Sequence, residues 1–493
     1  MLVATGALTG GALVLGSCSA PRRPGSARGT GRAGQTTVAD WVSSRGPSYV
    51  IAHRGSGDVF PEHSLPGYQA ALDWGAGCME LSVAMTSDGQ LICLHDLTYD
   101  RTTTGSGPVA AQPASVLADI RLWAPQLGPA WTRDPLPQVP RLEQALDLLG
   151  HRTVLAMEAK DDNAYPGMLA MLTQRGLTRS VVIKAYRTSS RIGTAARRGL
   201  PVFAYLGVED MRPSVIAELA GRLNPQRDYL GIPVTDPDGC FWPDRLIRDT
   251  VALGIPVWVY PAHRRHDADH YTALGVHGIV SSSYGYSIGR VPVAASDDWV
   301  AKAVRSGQIS RDPAAAFGGP AWTGTDSLTL AVSGGPQLLL LGQLCPLPPD
   351  NPYRIEVEIR FDALPTDPGA GFCLATARPD DRYYQPGLAS DGYDALLSVD
   401  GRLRLVRRDL AAGSTELGRV RLAPLRAGDR VRVSLQVGAA FLRLIAQTGD
   451  GRIVEVRALD TTHRGGYFHL GRTGGDGSLS LSGLSVSALA LPD

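Results

Sequence analysis

Between residues 49 and 289 the chain repeats one pattern, a short apolar run followed by a longer stretch with apolar residues at helical spacing. The runs are YVIAH, CMELSV, LICLH, TVLAME, SVVIKAY, PVFAYL, YLGIPV, IPVWVY and HGIVSS. Between them lie segments such as LPGYQAALDWG, LEQALDLLG and PGMLAMLTQRG, each closing at a glycine as helices often do. Short apolar runs alternating with helices mark strands buried on both faces, hence βα units and a parallel sheet. The expected fold is α/β, a TIM-type (β/α)8 barrel over residues 48–290. Nine runs are one more than such a barrel needs, and YLGIPV, broken by Pro233, is the expected irregular piece.

A chain of 493 residues exceeds what one core organises, so a second domain is required. After residue 291 the pattern changes to strand-like alternation in YRIEVEIRFD, DALLSVDG, RLRLVRRD, DRVRVSLQVG, FLRLIAQTG, RIVEVRALD, YFHLGR and GSLSLSGLSVSALAL, punctuated by Asp400-Gly401, Gly449-Asp450-Gly451 and Gly475-Asp476-Gly477. This predicts a linker over 291–305 and an all-β, jelly-roll-like sandwich over 306–493. Its last segments resemble concanavalin-like or laminin-G-like sandwiches, which implies a glycan, such as a cell-wall polymer, as partner. With 48 basic against 47 acidic residues, no basic footprint for nucleic acid is present, and 44% hydrophobic content excludes a disordered chain.

The first eighteen residues are apolar and uncharged but glycine-interrupted, which predicts an export signal rather than a membrane span. Their end, Leu15-Gly16-Ser17-Cys18, resembles the bacterial lipobox, which implies lipidation at Cys18 and a location that is membrane-anchored or extracellular. Residues 19–47 are expected to be a Gly/Ser/Arg-rich tether. Cys78, Cys93, Cys240, Cys345 and Cys373 show no CxxC spacing; export permits a Cys345–Cys373 bridge, and small buried thiols are the alternative.

Chemistry-bearing residues gather where the apolar runs end: Ile51-Ala52-His53-Arg54-Gly55, Pro61-Glu62-His63-Ser64, Glu80-Leu81-Ser82-Val83, Leu94-His95-Asp96 and Asp100-Arg101-Thr102-Thr103. Barrel active sites form at such strand ends. His53 and His95 can share acid and base work near neutral pH. Arg54 can grip two phosphate oxygens, and Lys160 can add a point charge. Residues 80 and 82 face one way along their strand, as do 158 and 160, and Glu62, Glu80 and Glu158 are hard oxygen ligands suited to Ca²⁺ or Mg²⁺. Glu62 is open between metal ligand and cap of a helix beginning near Ser64.

Together with VPRLEQALDLL, Glu158-Ala159-Lys160, Val257-Trp258-Val259 and Gly278-Ile279-Val280, these motifs resemble the glycerophosphodiester phosphodiesterase family in the right order over about 240 residues. The resemblance implies metal-assisted hydrolysis of glycerophosphodiesters to glycerol phosphate and an alcohol, with His53 and His95 catalytic, Arg54 and Lys160 on the phosphate, and Glu80 and Glu158 on the ion. The family has a metal-ligand Asp where this chain has Ser82, a neutral and weaker oxygen that can serve as a weak ligand or support a water. The alternatives are a phosphodiesterase acting on lysophospholipid or teichoic acid, or a non-catalytic glycan- or phosphodiester-binding lipoprotein. His263, His266 and His270 in PAHRRHDADHY read as a solvated loop and helix start, and Gly105-Ser106-Gly107 as a loop.

Overall fold

The structure, a computed structural model, describes residues 36–58, 60–124, 127, 131, 134–237, 240–289, 321–323, 327–330, 337–343, 352–379, 391–465 and 467–489. Cys18, the tether before residue 36, the linker at 291–305 and Cys345 lie outside them. Cys373 is buried. Among the described residues no helix is long and apolar enough to cross a membrane.

The described chain opens with helix α1 (Val38–Ser44) inside the stretch expected to be tether. Thr37 and Asp40 cap its first turn reciprocally, the Thr37 hydroxyl accepting from the Asp40 N–H at 3.2 Å and the Asp40 carboxylate accepting from the Thr37 N–H at 3.1 Å. Trp41 holds the helix in place. Its ring packs edge-on against Tyr49 and Trp258, in a cluster with Ile51, Cys78, Val154, Val182, Phe203 and Tyr229. Most of these residues lie near the starts of barrel strands, so α1 stoppers the bottom of the barrel. One buried aromatic outweighs the low apolar content of its surroundings.

In chain order there follow β1 (Tyr49–Ala52), α2 (Leu65–Asp73), β2 (Cys78–Met85), β3 (Leu91–Cys93), α3 (Leu142–Leu149), β4 (Val154–Ala159), α4 (Ala164–Gln174), β5 (Val181–Tyr186), α5 (Arg191–Arg197), β6 (Val202–Tyr205), α6 (Pro213–Ala220), β7 (Tyr229–Pro233), α7 (Asp244–Val251), β8 (Val257–Ala262), α8 (Arg265–Ala273), β9 (Gly278–Ser281) and α9 (Tyr284–Ser287). Strands β1, β2, β4, β5, β6, β7, β8 and β9 pair in parallel, and the β1–β2 pairing closes them into a TIM-type barrel. The surplus run is therefore LICLH, not YLGIPV. β7 is a regular barrel strand, because Pro233 falls at its last residue, where an absent N–H costs little. β3 instead folds back antiparallel on β2, with Val83 opposite Cys93.

Alternate residues of each barrel strand fill the lumen. A Cβ on Gly278 would come within 2.4 Å of the Trp258 ring, so the bare backbone there makes room for the largest lumen side chain.

The C-terminal region is all antiparallel: β10 (Ala321–Thr323), β11 (Ser327–Leu330), β12 (Gln337–Gln343), β13 (Tyr353–Ala363), β14 (Gly371–Arg378), β15 (Gly392–Ser398), β16 (Arg402–Asp409), β17 (Gly413–Arg421), β18 (Arg430–Val437), β19 (Leu442–Thr448), β20 (Ile453–Ala458), β21 (Tyr467–Arg472) and β22 (Ser478–Ala488). They form a seven-stranded sheet, β10-β11-β22-β13-β18-β19-β20, and a six-stranded one, β12-β21-β14-β15-β16-β17. Residues of both sheets share one core. Strand β14 escapes a reading by alternation because it is buried at every position, including Arg378, whose guanidinium meets Asp394 at 2.9 Å.

Candidate active site

The C-terminal ends of β2, β4, β5 and β6 raise charged and hydroxyl side chains into the lumen. Period-two alternation carries Cys78, Glu80 and Ser82 inward on β2 and Val154, Ala156 and Glu158 inward on β4, with Lys160 following in phase. On β5 it carries Val182 and Lys184, and on β6 Phe203 and Tyr205. Glu80, Glu158 and Lys184 are all buried, at 1%, 6% and 5% exposure. Carboxylates that deep must be paired, and they are. Lys184 Nζ lies 2.9 Å from Glu80 Oε1 and 3.1 Å from Glu158 Oε2, Lys160 Nζ lies 3.2 Å from the same Glu158 oxygen, and Tyr205 donates to Glu158 Oε1 at 2.7 Å.

His53 follows β1 in a single 3-10 turn in which Arg54 adopts a left-handed backbone, φ 53°. Such strain in a non-glycine residue clusters at functional sites, and here it turns the Arg54 guanidinium back onto Glu62, with Nη1 3.2 Å from both carboxylate oxygens. His53 Nδ1 meets Ser282 Oγ at 2.5 Å, and its Nε2 lies 3.7 Å from Glu80 Oε1. Removing the Ser282 hydroxyl loosens the ring without touching substrate. In Ser282→Ala, kcat is expected to fall about two- to tenfold with KM nearly unchanged, readable by steady-state kinetics on a phosphodiester.

His95 reaches the same mouth by a different route. β2 overshoots the barrel rim, turns through 86–90 and returns as β3, and Leu94 N–H then bonds Ser82 O at 3.2 Å. This sets His95 beside the end of β4, where its Nε2 lies 3.3 Å from Lys160 Nζ. Its Nδ1 lies 2.8 Å from Asp96, and Arg101 binds both Asp96 and Glu62. The ammonium must donate to Nε2, so the His95 proton sits on Nδ1, facing Asp96.

Contacts therefore run without a break through His53, Glu80, Lys184, Glu158, Lys160, His95, Asp96, Arg101, Glu62 and Arg54, which is covalently next to His53. Every site residue predicted from the barrel motifs, apart from Ser82, is in this circuit. Ser82 lies directly opposite Glu158 in the β2–β4 register, fully buried, its Oγ without a bonding partner among the described residues. The sequence reading missed Lys184, Tyr205 and Ser282. The parity argument used for Glu80 and Glu158, applied to SVVIKAY, points Lys184 into the lumen. Nothing local marks Ser282, which lies 229 residues from His53.

Electrostatics follow from burial. His53 is pushed well below its ordinary value by desolvation, then by the nearby Arg54 and Lys184 charges, and stays neutral. Burial also lowers His95, against the opposing bond to Asp96. Burial alone would raise Glu158, but the Lys184 and Lys160 ammoniums and the Tyr205 hydroxyl hold it ionised. Glu62 is likewise held ionised against burial by Arg54 and Arg101.

Glu62 does not cap α2. The Ser64 side chain does, accepting from Gly67 N–H at 3.1 Å. His263 bonds Asp58 at 2.6 Å, and His266 and His270 lie on α8. Residues 105–107 are loop.

Two imidazoles, two ammoniums and paired guanidiniums at the C-terminal mouth of a parallel barrel define a site built to handle an anionic ester. Residues 53–283 match the glycerophosphoryl diester phosphodiesterase family. That family is typically metal-dependent. The chain is similar to a glycerophosphodiester phosphodiesterase of Bacillus subtilis, 38% identical over 129 residues, which are 24% of this chain and 42% of that protein. Another, of Caldanaerobacter subterraneus, is 25% identical over 239 residues, 47% of this chain and 93% of that protein. A solved structure of an Oleispira antarctica phosphodiesterase, in complex with the product sn-glycerol-3-phosphate, covers 49% of this chain and 95% of its own at 18% identity and TM-score 0.42.

The residues present do not fit the divalent ion that was expected on Glu80, Glu158, Glu62 and Ser82. Lys184 stands between the first two, and Glu62 is clasped by two guanidiniums. Among the described residues, the one trio of carboxylate, imidazole or thiolate ligand atoms within 4.8 Å of one another is Asp391, Asp409 and His463, in the sandwich.

Proposed function

We propose that this protein is a phosphoric diester hydrolase that cleaves glycerophosphodiesters to glycerol phosphate and an alcohol. The observation that carries the reading is the line of contacts joining His53 to His95 through two carboxylates and two ammoniums at one barrel mouth. Phosphodiester cleavage needs a base for the attacking hydroxyl, an acid for the departing alkoxide and fixed positive charge for the phosphoryl oxygens. His53, held neutral, suits the base, and its Nε2 accepts the proton of the substrate's own glycerol hydroxyl as that oxygen attacks phosphorus and closes a cyclic phosphate. His95 is less enclosed, and Asp96 opposes the lowering by burial; in its doubly protonated form, with Nδ1–H on Asp96 and Lys160 turned from Nε2 to the phosphate, it suits the acid that protonates the departing oxygen as the old P–O bond breaks. Arg54 and Lys160 face the phosphate. Water then opens the cyclic phosphate: His95 takes the water proton as the new P–O bond forms, and His53 returns its proton to the glycerol oxygen as the ring P–O bond breaks.

The lipobox-like 15–18 supports a surface protein anchored through Cys18. The hollow on the six-stranded sheet, lined by Arg404, Arg408, Ser414 and Glu416, supports a wall-glycan partner for the sandwich. The test is release of glycerol phosphate from glycerophosphocholine by the full chain, with lysophosphatidylcholine and teichoic acid as competing substrates. Release lost in His95→Ala is the expected result. No release from any of the three, together with retention on cell-wall glycan, would replace this reading with that of a binding lipoprotein.

A further inference from the structure

We infer that the Lys184 ammonium takes the position of a divalent cation in this barrel, so that the catalytic site is complete without a metal ion. The inference deepens the hydrolase reading above and rests on it. Its first ground is position. Lys184 Nζ bridges Glu80 Oε1 and Glu158 Oε2, carboxylates on neighbouring strands, at 2.9 and 3.1 Å. Ca²⁺ or Mg²⁺ would approach those same oxygens to about 2.0–2.6 Å, and an ion there and the ammonium would crowd and repel each other. Nor is Lys184 a surface side chain fallen inward: its backbone is mid-strand in β5, its head is enclosed, and the Tyr205 and Tyr260 rings lie 5.0 and 5.8 Å from Nζ.

The second ground is what the neighbours lack. A hard divalent ion wants at least six oxygens in near-regular array, and the other carboxylates of the circuit are committed elsewhere, Glu62 to Arg54 and Arg101 and Asp96 to His95 and Arg101. Ser82 supplies only a neutral hydroxyl opposite Glu158. The third ground is charge balance. Serine in place of a carboxylate removes one negative charge, and an ammonium in place of a dication removes one positive charge. The two departures cancel, and an arriving phosphodiester meets the same net charge at the mouth. Each alone would be disruptive; together they exchange one cation for another that cannot dissociate.

The experiment uses the full chain dialysed against EDTA. Ca²⁺ and Mg²⁺ are titrated calorimetrically, metal content is measured by mass spectrometry, and glycerophosphocholine hydrolysis is followed with and without chelator. Asp409→Asn is run in parallel to remove the sandwich trio. Expected are no ion bound by Asp409→Asn and a hydrolysis rate unchanged by EDTA. The double variant Ser82→Asp/Lys184→Gln should gain a Ca²⁺- or Mg²⁺-binding heat; should it not fold, the Asp409→Asn titration decides alone. An ion bound stoichiometrically by Asp409→Asn, or a rate abolished by EDTA and restored by either metal, overturns the inference. No hydrolysis under any condition while the titration stays silent would end the hydrolase reading and leave the lysine-filled site standing.

Discussion

His53→Gln is expected to lower kcat for glycerophosphodiester hydrolysis by about 10²- to 10⁴-fold, the range over which a positioned acid or base acts. Glutamine keeps a hydrogen-bonding head for Ser282 Oγ but offers no nitrogen that gains a proton at neutral pH. KM should move little, because Arg54 and Lys160, not His53, face the phosphate in the proposed arrangement. A melting curve coincident with wild type would separate lost chemistry from lost fold. A variant that keeps its fold and more than a tenth of the wild-type kcat would show that His53 is not the base.

The second large effect is on stability. Lys184→Met should destabilise the barrel by about 3–5 kcal/mol, since removing one partner from a buried ion group leaves charge uncompensated in a medium that solvates it poorly. Here two carboxylates lose their shared counter-charge at once, although Lys160 and Tyr205 still attend Glu158. Glu80 has no comparable substitute beyond the neutral His53 ring at 3.7 Å. Adding Glu80→Gln to Lys184→Met should recover a substantial part of the loss, and a double-mutant cycle from denaturant midpoints of the barrel transition measures it. Additive losses from the two substitutions would mean that the pair is not energetically coupled, and that the ammonium has another role in the fold.

How far the primary sequence could be read differs from element to element. Runs such as TVLAME and IPVWVY announce buried parallel strands because they are apolar on both faces for most of their length, and the strand-to-helix rhythm admits few topologies. LICLH has the same composition, yet three of its residues form an antiparallel return on β2. Periodicity reports burial and not the direction of the partner, so it does not distinguish LICLH from the parallel runs. Trp41 is similarly silent: it lies in a short, mixed stretch beside a Gly/Ser/Arg-rich segment, and only the open bottom of the barrel gives an indole somewhere to go.

At the site the contrast is sharper. The chain by itself determined the chemical inventory, with imidazoles at 53 and 95, carboxylates at 80 and 158, and cations at 54 and 160, and it determined by strand parity which of the strand residues face inward. Tertiary structure alone decided the pairings. A lysine from β5 meets carboxylates from β2 and β4, Ser282 seats the His53 ring from across the closing seam, and Arg101 draws Glu62 away from any ion. The reason is physical: alternation along a strand is a local property of the backbone, whereas the partner of a buried charge depends on barrel closure and register, which bring residues distant in sequence within about 3 Å of one another.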